Sequence, residues 1–242
     1  MIYILAETQV NQDQMNSFFN DKGIDPVPMN LACFMGRLCY DSFDSTNNAN
    51  ITKRRADDKE YIENIIKQKH FSVLEHIQIT FLFTGVSRVF THELVRHRIG
   101  AFSQESMRYV RFKENPINED ITVDQSDQNI TSNIFLRELE EEILVHVPRE
   151  MFKKYKELES RINWEELSMK KKKEISSLLR RILPQGIATN IGWSTNIRNL
   201  AHVIKMRNSP HAEVEIRNIF SQVQKMMEEK YPTIFPLILE HI

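Results

Sequence analysis

The chain has 242 residues, of which 41% are hydrophobic and 27% charged, as expected for a globular protein with one large or two small domains. Its 32 Lys and Arg nearly balance its 33 Asp and Glu, so the net charge of -1 argues against a surface built to grip nucleic acid. The six glycines form neither G-x-G-x-x-G nor a P-loop, and no apolar stretch approaches about 18 residues. We therefore expect a soluble, cytoplasmic protein with neither nucleic acid nor a membrane as partner.

The first half of the chain combines strand and helix patterns. An apolar, Tyr- and Ile-bearing segment at 1–10 predicts an opening strand. Apolar residues four apart predict a helix over 53–69, and alternation predicts a strand over 77–83. A repeat of four at Val86, Phe90 and Leu94 predicts a second helix that runs to about Arg98.

The second half reads as helices. Residues 113–133 are polar and acidic without a clear period, which indicates a loop or lid. Helices are predicted over 134–158, 165–182, 194–207 and 212–229. Strands early and helices late predict an α+β fold, with antiparallel sheet elements packed against a helix-rich C-terminal half. Because no linker-like stretch separates the halves, we expect a single domain over 1–242.

The two cysteines, Cys33 and Cys39, are six residues apart, which fits neither a C-x-x-C motif nor a disulfide framework. Both have apolar neighbours in the sequence. We expect each to be a buried structural thiol.

The densest polar cluster lies between residues 88 and 111 and uses arginine without lysine. Its members are Arg88, His92, Arg96, His97, Arg98, Arg108 and Arg111, opposed by Glu93 and Glu105. Arginine pairs two oxygens at once, which suits a phosphate or a carbonyl-rich base. Small and hydroxyl residues at 99–106 predict a turn whose N–H groups could face an anion. A salt-bridged surface helix is the alternative.

A zinc site and a nucleic-acid-binding patch are two alternative interpretations of this region. The run from His92 to His97 resembles H-E-x-x-H, but the second histidine must stand at i+4, where this chain has Arg96. His97 points about 100° further round the helix. A nucleic-acid patch would need more lysine and more aromatics. We expect no metal.

A second polar group lies on the predicted helix over 194–207. Ile197, Leu200, Ala201 and Ile204 form its core stripe. Arg198 and His202 lie on one flank of that stripe and Arg207 on the other, about 160° away. This arrangement indicates two ligands or a site shared between subunits, unless these are surface and capping residues. Arg180 ends the preceding helix.

These residues resemble a known family. Arg96-His97-Arg98 followed after seven residues by Ser106 is similar to the RHR-x7-S signature of flavin-dependent thymidylate synthases. Further blocks in the same order resemble the family at 70–76, 91–98, 103–109, 180–184 and 196–216. The chain departs from the usual residues in having Lys69 for Gly, Glu93 and Glu213 for Gln, and His202 where some members have Asn.

The resemblance implies an α+β homotetramer with active sites shared between chains. It implies FAD reduced by NADPH, and methylenetetrahydrofolate as donor of the carbon that converts dUMP to dTMP. The family attaches no enzyme cysteine to the uracil. A non-catalytic flavin- or nucleotide-binding protein of the same fold is the alternative, and a zinc hydrolase is a third hypothesis.

Residue roles follow from the matching positions. The residues implied to bind dUMP are Glu93, Arg96, Gln104, Glu105, Ser106, Met107, Arg108, Arg180 and Arg207. Those implied to contact FAD are His70, Ser72, Arg96, His97, Arg98, Gln104, Asn196, Arg198, His202 and His211. Arg207 is our candidate catalytic residue, because a fixed guanidinium would stabilise negative charge on the uracil ring. Ser106 could be read as a nucleophile, but phosphate binding is the plainer role.

Overall fold

The computed structural model describes residues 1–11, 13–15, 28–43, 50, 55, 57–112, 139 and 141–242. Within them the chain forms a four-stranded antiparallel sheet covered by helices, most of which follow residue 140. The predicted α+β fold is therefore confirmed. The predicted loop at 113–133 and the start of the helix predicted over 134–158 lie outside the described residues.

The sheet has the strand order β1-β2-β4-β3 with every neighbouring pair antiparallel. The strands are β1 (Ile2–Glu7), β2 (Gln78–Ser87), β3 (Ala101–Gln104) and β4 (Ala188–Asn196). The two predicted strands are confirmed as β1 and β2. β2 extends beyond the prediction because a bulge at Gly85, with a φ of 68°, lets pairing with β4 resume at Val86.

Eight helices are described. They are α1 (Pro28–Tyr40), α2 (Asp58–Lys67), α3 (Arg88–Leu94), α4 (Val147–Ser160), α5 (Met169–Leu179), α6 (Ile197–Arg207), α7 (Val214–Lys230) and α8 (Ile234–His241). A π-helical turn at Glu142–His146 leads into α4. α2 begins at Asp58 because the Asp57 side chain caps its first turn, and Ser168 does the same for α5. α1 and α8 were not predicted from the sequence patterns.

The helix predicted over 86–98 is too long at its C-terminal end. α3 ends at Leu94, and the next residues form a tight turn in which His97 N donates to Leu94 O at 3.1 Å. The chain must reverse here to enter β3, and Gly100 with a φ of 141° allows the reversal. Arg96, His97 and Arg98 therefore stand on a turn rather than on a helix.

The strand β4 was not predicted from the sequence, and it shortens the helix that follows it. The predicted helix over 194–207 begins only at Ile197, because Ser194 and Thr195 pair with β2 and Asn196 caps the helix. β3 likewise replaces part of the turn predicted at 99–106, because residues 101–104 pair with β4.

The core lies between one face of the sheet and the helices. Ile79, Phe81 and Phe83 of β2 are at most 1% exposed, which confirms the predicted apolar face of that strand. Trp193 of β4 and Phe220 of α7 pack with them. The predicted stripe of α6 is also buried, so this helix presents its flanks to its surroundings.

The prediction for the cysteines is half right. Cys33 is buried, and burial raises the pKa of its thiol to about 12. Cys39 is exposed. The two residues lie on one helix, where six positions correspond to a rotation of about 240°, so both cannot face the core.

Candidate active site

Arg207 is the last residue of α6, and its side chain is held by Glu93 of α3 and by His97 of the turn that follows α3. Its Nε donates to His97 Nε2 at 2.7 Å, and its NH1 donates to Glu93 Oε2 at 2.7 Å. Its NH2 donates to the Glu93 carbonyl oxygen at 3.1 Å. The Arg207 side chain is only 14% exposed, so the guanidinium has one orientation fixed from three sides. An arginine has five N–H donors, and two of them remain for a ligand.

His97 is neutral in this setting. Burial lowers the pKa of its imidazole to about 4, and the nearby Arg207 and His202 add to the effect. Glu93 opposes them without cancelling them. The site therefore combines a fixed guanidinium with a neutral imidazole at neutral pH.

The turn that carries His97 is pinned to the sheet and to α6. Asn199 Nδ2 donates to the Ile99 carbonyl oxygen at 2.9 Å and to Thr195 Oγ1 at 2.9 Å. A Cβ on Gly100 would lie 2.5 Å from the Ser194 carbonyl oxygen, so only glycine fits against β4 there. Strand pairing and the start of α6 thus fix the turn in place.

Two arginines, Arg88 at the start of α3 and Arg180 directly after α5, have no acidic partner among the described residues. Burial and the charge of Arg180 together lower the pKa of Arg88. Neither arginine forms an ion pair with any described residue. A pocket of about 240 Å³ lies beside Arg88, and it is lined by Arg88, Thr91, His92, Val95, Gln104 and Gln185. Gln104 Nε2 donates to Thr91 Oγ1 at 3.0 Å, which orients the amide. Two cations without a counter-charge favour an anionic ligand.

The residues after β3 form a turn that suits an anion. Tyr109 N and Val110 N both donate to the Ser106 carbonyl oxygen at 3.0 Å. The backbone N–H groups of Ser106 and Met107 donate to no described residue, which leaves them for a ligand. Arg108 Nε donates to Ser177 Oγ of α5 at 3.2 Å.

Glu105 directly follows β3 and is held by hydrogen bonds to Asn190 of β4. Its backbone N donates to the Asn190 carbonyl oxygen at 3.0 Å, and Asn190 Nδ2 donates to Glu105 Oε2 at 3.1 Å. The carboxylate therefore has a fixed place at the end of β3.

A cleft of about 380 Å³ lies along the opposite flank of α6. It is lined by Glu75, Ile99, Asn196, Arg198, Asn199, His202 and Ile242. Arg198 pairs with Glu75, and both side chains are nearly half exposed. The predicted division of α6 into two polar flanks is thus what the structure contains. Asn196 also caps α6 by accepting from Asn199 N at 2.8 Å.

Several predicted site residues form no described side-chain hydrogen bond or ion pair with these groups in the single chain. His70 stacks on Tyr40, with ring centroids 5.4 Å apart, and the Tyr40 hydroxyl bonds to it. Ser72 is exposed in a 3₁₀ turn at Phe71–His76, and His211 is exposed before α7. The side chains of Arg96 and Arg98 are exposed and form no hydrogen bond or ion pair with a described residue.

The two histidines of the H-E-x-x-H-like run face different surroundings. His92 lines the pocket beside Arg88, whereas His97 bonds to Arg207. Across the described ranges no three His, Cys, Asp or Glu side chains lie close enough to hold a metal ion. Nor does any described helix have the length and apolar character needed to cross a membrane.

Three residues acquire a role only through the fold, namely Arg88, Glu75 and Asn199. Arg88 belonged to the arginine-rich run, but only the fold brings it near Arg180. Glu75 was part of a matching block, and its pairing with Arg198 crosses 123 positions. Asn199 carried no sequence signal that separates it from an ordinary helix residue.

Known proteins resemble this chain over most of its length. A family model described as thymidylate synthase complementing protein matches residues 24–233. A flavin-dependent thymidylate synthase of Corynebacterium glutamicum is 34% identical over 209 residues, or 85% of this chain and 77% of that protein. Proteins of the same name from Corynebacterium diphtheriae and Mycobacterium tuberculosis are 34% and 31% identical over 205 residues, with the same shares covered.

Proposed function

The chain belongs to the thymidylate synthase complementing protein family, and we propose how its arginines divide the work of that family's reaction. It is an FAD-dependent methyltransferase that converts dUMP to dTMP, with methylenetetrahydrofolate as carbon donor and NADPH as reductant. The non-catalytic alternative has no support from its relatives, which carry the name of the enzyme. The assignments of individual residues below are proposals.

The phosphate of dUMP belongs at the pair formed by Arg88 and Arg180. These arginines lack acidic partners among the described residues, and the free N–H groups of Ser106 and Met107 are part of the turn that follows β3. A dianionic phosphate would relieve the repulsion between the guanidiniums and accept several charge-assisted hydrogen bonds. Arg108 and the hydroxyl of Ser106 complete the set. Ser106 has no described histidine bonded to its hydroxyl, which favours binding over nucleophilic attack.

The uracil belongs at Arg207, and the fixed guanidinium is the observation that carries this proposal. The carbon that gains the methyl group is a poor nucleophile, and activating it builds negative charge on the carbonyls and imide of the ring. The two N–H groups that Arg207 does not use can meet that charge without reorientation. Glu93, Arg96, Gln104 and Glu105 would orient the nucleotide around it.

FAD belongs along the cleft beside α6, whose donors Asn196, Arg198 and His202 suit its phosphates and polar ring edge. Bound there, FAD supplies the electrons that reduce the transferred carbon to a methyl group. A dinucleotide is larger than 380 Å³ of space, so part of it would lie outside this cleft, where Arg98 and groups of other chains are further proposed contacts. His97, Gln104, His70, Ser72 and His211 are the remaining proposed contacts.

We propose that the enzyme is a homotetramer in which neighbouring chains complete each site. In the single chain the His70 side chain bonds to Tyr40, and Ser72 and His211 are exposed with no described side-chain hydrogen bond to another candidate, which supports this. We also propose a cytoplasmic enzyme that acts as one domain over 1–242 and binds neither nucleic acid nor a membrane. The near-zero net charge and the shared core of β1, β2, β4 and several helices support these proposals.

The decisive experiment is an absorbance spectrum of purified protein, followed by turnover. We expect a flavin spectrum that bleaches with NADPH in the presence of dUMP, and tritium release from labelled dUMP only when folate is added. Arg207→Ala should keep FAD but lose about 10²–10³-fold in kcat. Near wild-type dTMP formation by that variant would refute the role of Arg207. Ser106→Ala should retain substantial activity, whereas a trapped serine adduct would reverse our assignment.

A further inference from the structure

The bond between Arg207 and His97 determines which nitrogen of the imidazole carries its proton. Arg207 Nε can only donate, because a guanidinium has no acceptor. It lies 2.7 Å from His97 Nε2. His97 Nε2 must therefore present a lone pair, and the single proton of the neutral ring must be on Nδ1.

We propose that His97 is a positioning residue for Arg207: its Nε2 lone pair holds the guanidinium edge, and its tautomer is fixed with the proton on Nδ1. This inference rests on the proposed function only in that Arg207 acts on the uracil. It assigns His97 a task separate from its proposed contact with FAD. That contact must then use the Nδ1–H, which can donate to a carbonyl or phosphate oxygen.

The surrounding charges explain why this arrangement is stable. From α3, Glu93 accepts two hydrogen bonds from the NH1 and NH2 groups of Arg207. Glu93 therefore fixes one edge of the guanidinium but leaves Nε without an acceptor. From α6, Arg207 itself and His202 disfavour a second positive charge on His97. A protonated His97 would set one donor against another at 2.7 Å, and Arg207 would lose its alignment.

The tautomer can be read without any turnover. The probe is unliganded full-length protein with ¹⁵N-labelled histidine at pH 7, and His97 is assigned by its absence in His97→Gln. We expect a pyridine-type shift for His97 Nε2 and a pyrrole-type shift for Nδ1. A pyrrole-type Nε2, or equal averaged shifts for both nitrogens, would overturn the proposal. This measurement stands even if the protein forms no dTMP.

Two substitutions separate the two nitrogens. In His97→Gln the carboxamide oxygen reaches the place of Nε2 and can still accept from Arg207, whereas His97→Asn reaches only the place of Nδ1. At saturating FAD we expect His97→Gln to stay within about fivefold of wild-type kcat. We expect His97→Asn to lose about tenfold or more in kcat with little change in the KM for dUMP.

Equal kcat in the two variants, or a loss confined to KM, would overturn the positioning role. The matched control is His146→Gln beside His146→Asn, because His146 is exposed on the π-helical turn and has no place in the site. Both control variants should keep wild-type kcat. If wild-type protein itself fails to turn over, the proposed function falls, and the tautomer is still decided by the NMR measurement.

Discussion

Lowering the pH from 7 to 5 should cost the wild-type protein more stability than it costs His97→Gln. The ordinary pKa of histidine is 6.5, and in the folded protein that of His97 is about 4. Between these values the unfolded chain binds a proton that the folded chain excludes. Stability contributed by the neutral ring is therefore complete above pH 6.5 and is lost as the pH falls towards 4.

The magnitude follows from the two pKa values. Linkage between pH 7 and pH 5 gives about 2 kcal/mol, and partial solvent access of the ring reduces this to about 1–2 kcal/mol. Urea unfolding of both proteins without FAD at pH 7, 6 and 5 measures it. Glutamine does not titrate, and the other ionisable groups contribute equally to both proteins, so the difference between their pH slopes isolates His97. Parallel slopes would show that His97 titrates freely in the folded chain, which would refute our account of the Arg207 contact.

Gly100→Ala should destabilise the protein by about 1–3 kcal/mol in urea unfolding, because the new Cβ would lie 2.5 Å from the Ser194 carbonyl oxygen and φ is 141°. Gly186→Ala is the control, because a Cβ there would have no atom within 4 Å. Equal losses of stability in the two variants would contradict the steric argument. Glu215→Ala should cost about 2 kcal/mol or more, because the buried carboxylate accepts from Ser87 N at 2.8 Å and from the Ser87 hydroxyl at the start of α3. A loss below about 0.5 kcal/mol would mean that water replaces the carboxylate there.

The elements that could be predicted are those whose own residues carry the period. Ile79, Phe81 and Phe83 alternate along β2, and the stripe of α6 repeats at helical spacing, so burial follows directly from local order. The two flanks of α6 follow from the same geometry, which is why Arg198 and Arg207 were placed on different sides of it. The local sequence pattern is sufficient to predict an element when the burial of that element depends only on its own apolar face.

The rest depended on contacts between distant segments. β3 has only four residues, and it forms because β4 offers an edge about 90 positions later in the chain. The residues of β3 show no alternation that would predict a strand. The turn after α3 likewise depends on a distant segment, because Gly100 fits closely against the Ser194 carbonyl oxygen. The sequence places Arg88 in a basic run, but Arg88 comes close to Arg180 only after β2 and β4 have paired. Charges that gather from separate segments cannot be located by spacing alone.

Replacing Arg180 should change the stability of the protein and its binding of dUMP in opposite directions. Arg180 is exposed and Arg88 half-buried, and without a bound anion each raises the electrostatic energy of the other. Arg180→Gln should therefore stabilise the nucleotide-free protein by about 0.5 kcal/mol, since solvent screens most of the repulsion. The same variant should bind dUMP about tenfold or more weakly, because it loses charge-assisted hydrogen bonds to the phosphate. Thermal unfolding with and without dUMP measures both effects. Arg181→Gln is the matched control, because Arg181 is the neighbouring exposed arginine in the 3₁₀ turn at Arg180–Ile182. If Arg180→Gln binds dUMP as tightly as wild type, the phosphate lies elsewhere; if it only loses stability, the two arginines do not repel each other in the free protein.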